Sequence, residues 1–157
     1  MRSRQQWLIL SLSGPNVPMT ERDAYNELCA YSLTHGHPSF IHLHVVDAFA
    51  AQTANERTKP IALTFALVGL YLQVEKHFTG KQVQRAHQYL ARRKRPWPSL
   101  ALPHDRGSMT AVDVLARPPG PARDEAIHAW CASVWGAFCD SKQEVVELLS
   151  SYGEVFR

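Results

Sequence analysis

Two histidines and a carboxylate stand among apolar residues in the stretch Ser39-Phe-Ile-His-Leu-His-Val-Val-Asp-Ala-Phe-Ala-Ala-Gln52. A polar group buried without a partner costs roughly 2–7 kcal/mol, so each of these side chains needs either a partner or a task. The stretch reads as a helix. On a helix, positions three or four apart share a face and positions two apart do not. His42 then falls with Val45, Val46 and Phe49, while His44 falls with Asp47, Ala48 and Ala51. A His44–Asp47 pair would fix the tautomer of the ring. In one reading His44 is a metal ligand or general base oriented by Asp47. In the other the two form a buried hydrogen bond that joins helices, and this is preferred because the sequence displays no third partner. His42, His44, Asp47 and Gln52 are the candidate polar cluster.

A zinc or iron site takes three or four protein ligands. A His-x-His pair on one helix is a poor chelate because the rings diverge, and no His-Glu-x-x-His motif occurs. Further ligands would have to come from His35, His37, Glu75, His77, His87 or His128. His35 and His37 lie in a turn, where their rings can converge. Nucleophilic chemistry has less support. Cys29 and Cys131 fall on apolar helix faces, where a thiol is usually inert. No Gly-x-Ser-x-Gly elbow or phosphate-binding glycine loop is present.

The elements that position these residues are helical. Thr20 with Asp23, Thr79 with Gln82, Thr110 with Asp113 and Ser141 with Glu144 have the spacing of capping boxes. The first helix carries Ala24, Tyr25, Leu28, Cys29, Ser32 and Leu33 at three-and-four spacing and ends near Thr34, before His35-Gly36-His37-Pro38. Pro38 suits the first turn of the second helix, which should run to about Ala54. Thr58-Lys59-Pro60 opens a third helix, apolar on every side through Leu72 and therefore buried. Gly69 within it should let a neighbour come close. A basic amphipathic helix follows from Thr79 until Pro96 ends it. Residues 96–107 form a loop pinned by Trp97. Thr110 to Ala116 is short, Pro121 to about Cys139 is long, and a last helix ends before Gly153. No segment alternates as a strand does. Ile127, Trp130, Val134 and Phe138 make one stripe of the long helix and Cys131, Trp135 and Cys139 another, so Ile61–Val74 and Ala126–Cys139 should be the most buried helices. The fold expected is an all-α, single-domain bundle of six or seven helices over residues 19–157.

Size and composition agree. A chain of 157 residues with a 45% hydrophobic share and a formal charge of +3 is an ordinary globular domain. No stretch reaches the roughly 18 apolar residues of a membrane span. Trp7 to Leu12 is too short and interrupted for a signal peptide. Met19-Thr20-Glu21 looks like a natural start, so residues 1–18 read as an extension, poorly ordered or packed only through Trp7 and Leu8. Cys131 and Cys139 on one helix lie roughly 12 Å apart along its axis, beyond the about 7 Å that a disulfide bridges. Free thiols point to the cytoplasm. From Lys76 to His104 there are seven Lys or Arg and no acid. Lys81, Arg85, Arg92, Arg93, Lys94 and Arg95 could contact phosphates with Trp97 for stacking. A solvated basic face that complements the helix dipole is the commoner outcome.

Together these residues resemble an uncharacterised family of small bacterial helical proteins, a domain of unknown function. The resemblance rests on His42, Val46-Asp-Ala-Phe49 and Gln52, on Gly69-Leu70, on Thr110-Ala-Val-Asp-Val114, and on Trp130 with Trp135. It covers roughly Tyr25 to Tyr152. Some relatives carry histidines where Ala66, Ser141 and Lys142 stand here, and many begin with a Cys-x-x-Cys segment that this chain lacks. If relatives hold a metal through those histidines, this chain has lost part of the set. The resemblance implies no reaction. The reading favoured is a non-catalytic module that binds a protein or small-molecule partner, with no cofactor. The alternatives are a metal-assisted enzyme holding zinc, iron or nickel through His and Asp, and nucleic-acid binding through residues 81–95.

Overall fold

The computed structural model describes residues 17–93 and 95–156. Among them are seven α-helices and no strand. They are α1 (Glu21–Thr34), α2 (His42–Gln52), α3 (Pro60–Val74), α4 (Gly80–Ala91), α5 (Ala111–Leu115), α6 (Pro121–Ala137) and α7 (Lys142–Ser150). Short 3-10 turns at Cys139–Ser141 and Gly153–Phe156 flank α7. The all-α bundle is the fold the sequence predicts. No helix of the described residues is long and apolar enough to cross a membrane. The extension expected over residues 1–18 lies outside the described residues apart from Val17 and Pro18, which are exposed.

Local chemistry sets most helix starts. Thr20, Thr79 and Thr110 each accept a hydrogen bond from the third helical residue, and the Asp23, Gln82 and Asp113 side chains accept one in turn from the backbone N–H of the cap residue. Such a cap contributes about 1 kcal/mol. Pro60 and Pro121 occupy first turns, where the missing N–H would be unpaired anyway. The fourth expected box does not form. Ser141 has helical backbone angles, φ −89° and ψ −3°, because the turn from Cys139 runs straight into α7. Its hydroxyl makes no capping bond. The second helix also starts later than Pro38 suggests. Phe40 takes the left-handed φ of 56°, which interrupts any helix there. Gly80, at the start of α4, meets the Phe40 carbonyl so closely that a Cβ would lie 1.8 Å from its oxygen.

The core differs from a two-helix centre in one respect. α2 lies between α3 and α6 and also packs against α1 and α4. Its Val45, Ala48 and Ala51 are fully buried with Leu67, Val68 and Leu72 of α3 and Ile127, Trp130 and Val134 of α6. Small residues on α2 allow this central position. Phe65 is half-buried, and Cys139 is exposed rather than part of an α6 stripe. All three cysteines are free.

Candidate functional site

The four residues of the sequence cluster are not brought together. His42 Nδ1 lies 2.9 Å from the Ser32 hydroxyl and ties α2 to α1. The Gln52 amide nitrogen donates to the carbonyls of Met109 and Arg106 at 2.7 and 3.3 Å, and its oxygen accepts from Trp130 Nε1 at 2.9 Å. Gln52 thus fastens the loop before α5 to both α2 and α6. Arg106 reinforces it by donating to the carbonyls of Ala51 and Ala54.

His44 and Asp47 are both buried, as predicted, but they serve different neighbours. His44 faces α6, with its ring 5.6 Å from that of His128 and its carbonyl accepting from the Cys131 thiol. Burial holds its pKa down to about 3, helped by His128 and His37. Asp47 faces α3 and α4. A Cβ on Gly69 would lie 1.8 Å from Asp47 Oδ2, so α3 can pass only because residue 69 is glycine. The imidazole in ion-pair reach of Asp47 is His87, at 3.8 Å, not His44. His87 Nε2 lies 2.8 Å from the Phe65 carbonyl and is spent there. Burial raises the Asp47 carboxyl well above the ordinary value and lowers His87, so each group is pushed towards its neutral form. Asp47 Oδ2 has no hydrogen-bond partner.

The polar groups that do converge lie at the α1–α2 turn, on α6 and at the end of α3. His35 Nε2 and His37 Nε2 stand 3.3 and 3.7 Å from the same oxygen of Asp124. The Tyr31 hydroxyl donates to the other oxygen at 2.6 Å and accepts from the Gly120 N–H. The convergence of His35 and His37 read from the sequence is therefore real, with Asp124 as its focus. One turn along α6, His128 Nδ1 lies 2.7 Å from the Gln73 amide nitrogen. An amide nitrogen only donates, so Nδ1 accepts and the neutral ring carries its proton on Nε2. His128 as a whole is exposed, and the covered part of its ring, chiefly, and His37 lower its pKa. Gln73 is 7% exposed, and its Oε1 has no partner. Gln73, Val74, His77, Phe78, His128 and Ala132 line a cleft of about 350 Å³ beside this pair. Sequence reasoning missed Gln73 and Asp124. Gln73 was visible as a polar residue at the end of an apolar helix. Asp124 gave no signal, since its partners are some ninety positions away.

Metal and nucleic-acid chemistry receive less from the geometry. Among the described residues no group of three His, Cys, Asp or Glu side chains is placed to hold a metal ion. His35, His37 and Asp124 come nearest, but their ring centroids are 6.2 Å apart and both rings address one carboxylate oxygen. Lys81, Arg85 and Arg92 are exposed on or beside α4. Arg93 and Arg95 lie over the rings of Tyr89 and Tyr152, and Arg95 donates to Ser151. Trp97, the stacking group the sequence offered, packs edge-on against Phe65 instead.

A family model for DUF5946, a family of unknown function, matches residues 22–139. The chain belongs to this family. The DUF5946 span runs from α1 through α6 and so contains every residue of the histidine-lined region and of the cleft. Comparisons with curated proteins and with solved structures give no match.

Proposed function

We propose that this DUF5946 protein is a non-catalytic helical module that binds a small molecule in the cleft between α3 and α6. The observation that carries the reading is Gln73. It is a buried amide, hydrogen-bonded to His128 on one side and unpartnered on the other, at the wall of a cleft of about 350 Å³. Small-molecule sites combine a mostly apolar lining with a few fixed polar groups, in volumes of roughly 300–1,000 Å³. Val74, Phe78 and Ala132 supply the apolar part here. A non-catalytic role fits the thiols, because burial raises both Cys29 and Cys131 and leaves them protonated. Free thiols also fit a reducing compartment such as the cytoplasm.

A thermal-shift screen of small neutral and charged compounds on the full chain tests this. Ligands that raise the melting temperature of the native protein should fail to do so in Ala132→Trp, which fills the cleft from an exposed position. Ligands that stabilise both proteins equally would place binding elsewhere.

One observation favours a second reading, binding of zinc, iron or nickel. His35 Nε2 and His37 Nε2 already stand 3.3 and 3.7 Å from one oxygen of Asp124, which brings three donor groups of a metal site to one place. Metal analysis of untagged protein tests it. One equivalent of metal, lost in Asp124→Asn, would replace the first reading.

A further inference from the structure

We propose that the protein carries an anion site where the end of α4 meets the turn after α7, and that its ligand is a small organic phosphate, a phosphomonoester with an aromatic or aliphatic group. This site is separate from the cleft between α3 and α6. α4 stops at Ala91, and the backbone N–H groups of Arg92 and Arg93 both turn back to the Leu90 carbonyl. α7 stops at Ser150, followed by Ser151 and Tyr152. Tyr89, Arg92, Arg93, Arg95, Ser151 and Tyr152 line a cleft of about 640 Å³ between the two ends. Residues 76–104 contain no Asp or Glu. Among the described side chains no acid lines this cleft or pairs with its arginines.

Three guanidinium groups in one cleft repel one another unless something offsets them. The two helix C-termini offset part, with about half a negative elementary charge each. Roughly two positive charges are left over. A phosphomonoester carries about −1.5 to −2 at pH 7 and presents three acceptor oxygens, whereas a carboxylate carries a single charge. The planar guanidinium fork also fits phosphate oxygens two at a time. All three arginines are exposed. Arg93 gives one N–H to the Tyr89 hydroxyl and Arg95 one to the Ser151 hydroxyl, each at 2.8 Å. A guanidinium has about five to give. The same two guanidinium carbons lie 4.9 and 4.7 Å from the ring centroids of Tyr89 and Tyr152. Such stacking holds both side chains in place before a ligand arrives and lowers the ordering cost of binding.

Tyr89 also lines a second cleft, of about 350 Å³, with Phe78, Ala86 and Phe156. The two clefts adjoin at this ring, so a phosphate held by the arginines can lay its apolar part on the second one. A nucleic-acid strand needs phosphate contacts along a track and open aromatic rings for its bases. Lys81 stands about three turns before Arg92, roughly 16 Å along α4. Trp97 is packed against Phe65. The cleft therefore favours a small ligand.

Isothermal titration calorimetry on the full chain at pH 7 and low salt compares phenyl phosphate, inorganic phosphate, benzoate and a short oligothymidylate. Phenyl phosphate should bind about tenfold more tightly than benzoate and about threefold more tightly than inorganic phosphate. Arg92→Gln, at an exposed position outside the stacked pairs, should weaken phenyl phosphate about fivefold and leave the melting temperature in place. Arg95→Gln should weaken it as much. Lys81→Gln removes an exposed charge elsewhere on α4 and should leave the affinity unchanged, as should Ala132→Trp. Equal losses in Lys81→Gln and Arg92→Gln would reduce the effect to general charge attraction and overturn the site. Loss of binding in Ala132→Trp would move the ligand to the α3–α6 cleft and overturn it too. Tighter binding of benzoate, or no binding of phenyl phosphate at millimolar concentration, would overturn the phosphate class. Equal affinities for phenyl and inorganic phosphate would overturn the role of the second cleft. Tighter binding of the oligothymidylate would replace the small ligand with nucleic acid.

Discussion

At the scale of single residues, Asp47 is the least comfortable group in the molecule. Its carboxyl is raised by burial, and Oδ2 has no hydrogen-bond partner in the protein. A carboxyl raised in the folded state contributes stability below its unfolded value, and this is lost as pH climbs through the folded one. Asp47→Asn removes that ionisation. The variant should be more resistant to urea than the native chain at pH 8, with the difference shrinking towards pH 5. A variant less stable at pH 8 would mean the ionised carboxylate has a partner that stabilises it. Gln52 is the opposite case, with every polar atom used. Gln52→Ala leaves Trp130 Nε1 and the Met109 carbonyl unpaired, and should cost about 3 kcal/mol in urea unfolding. The sequence marked both positions as polar groups among apolar ones. It could not say which partners, because those of Gln52 lie more than fifty residues away. The His44–Asp47 pairing drawn from helical spacing gave way to contacts with α6 on one side and α3 and α4 on the other.

At the scale of elements, the closest approach in the fold is Gly69 of α3 against Asp47 of α2. Gly69→Ala forces the carboxyl aside and should destabilise by about 1–3 kcal/mol, despite the better helix propensity of alanine. In the double variant with Asp47→Ala the clash disappears, so the two losses should be clearly less than additive in denaturant melts. Simple additivity would show that the helices approach differently. Gly69 was legible as a close-approach residue, as were three of the four capping boxes, because these signals are local. Ser141 failed since a 3-10 turn ahead of α7 gave it helical backbone angles. The central place of α2 was also not legible. Periodicity says which face of a helix is buried but not how many neighbours share it.

At the scale of the whole molecule, histidines dominate the response to acid. His42, His44 and His87 are lowered by burial, His44 to about 3. A histidine lowered in the folded state binds its proton more readily once unfolded. Stability is then lost as pH falls from the unfolded value near 6.5 towards the folded one. Each such group contributes a slope of up to about 1.4 kcal/mol per pH unit. Asp47 acts in the opposite sense but is one group against three. The melting temperature should therefore drop between pH 7 and pH 5, and an unchanged or higher value at pH 5 would contradict the burial of these rings.

The bundle as a whole was legible because capping signals and apolar helices are written in contiguous residues. The cleft was not, because it arises where the end of α3 meets the middle of α6, and Gln73 and His128 are fifty-five positions apart. The most direct test of the cleft as the ligand site is a titration of the 15N-labelled full chain with a compound that raises its melting temperature in the thermal-shift screen, followed in 1H–15N spectra. The predicted result is a saturable shift of the Gln73 side-chain amide, the His128 ring nitrogens and the backbone amides of Phe78 and Ala132, with α4, α5 and α7 left in place. Shifts confined to other surfaces, or none at all, would contradict it.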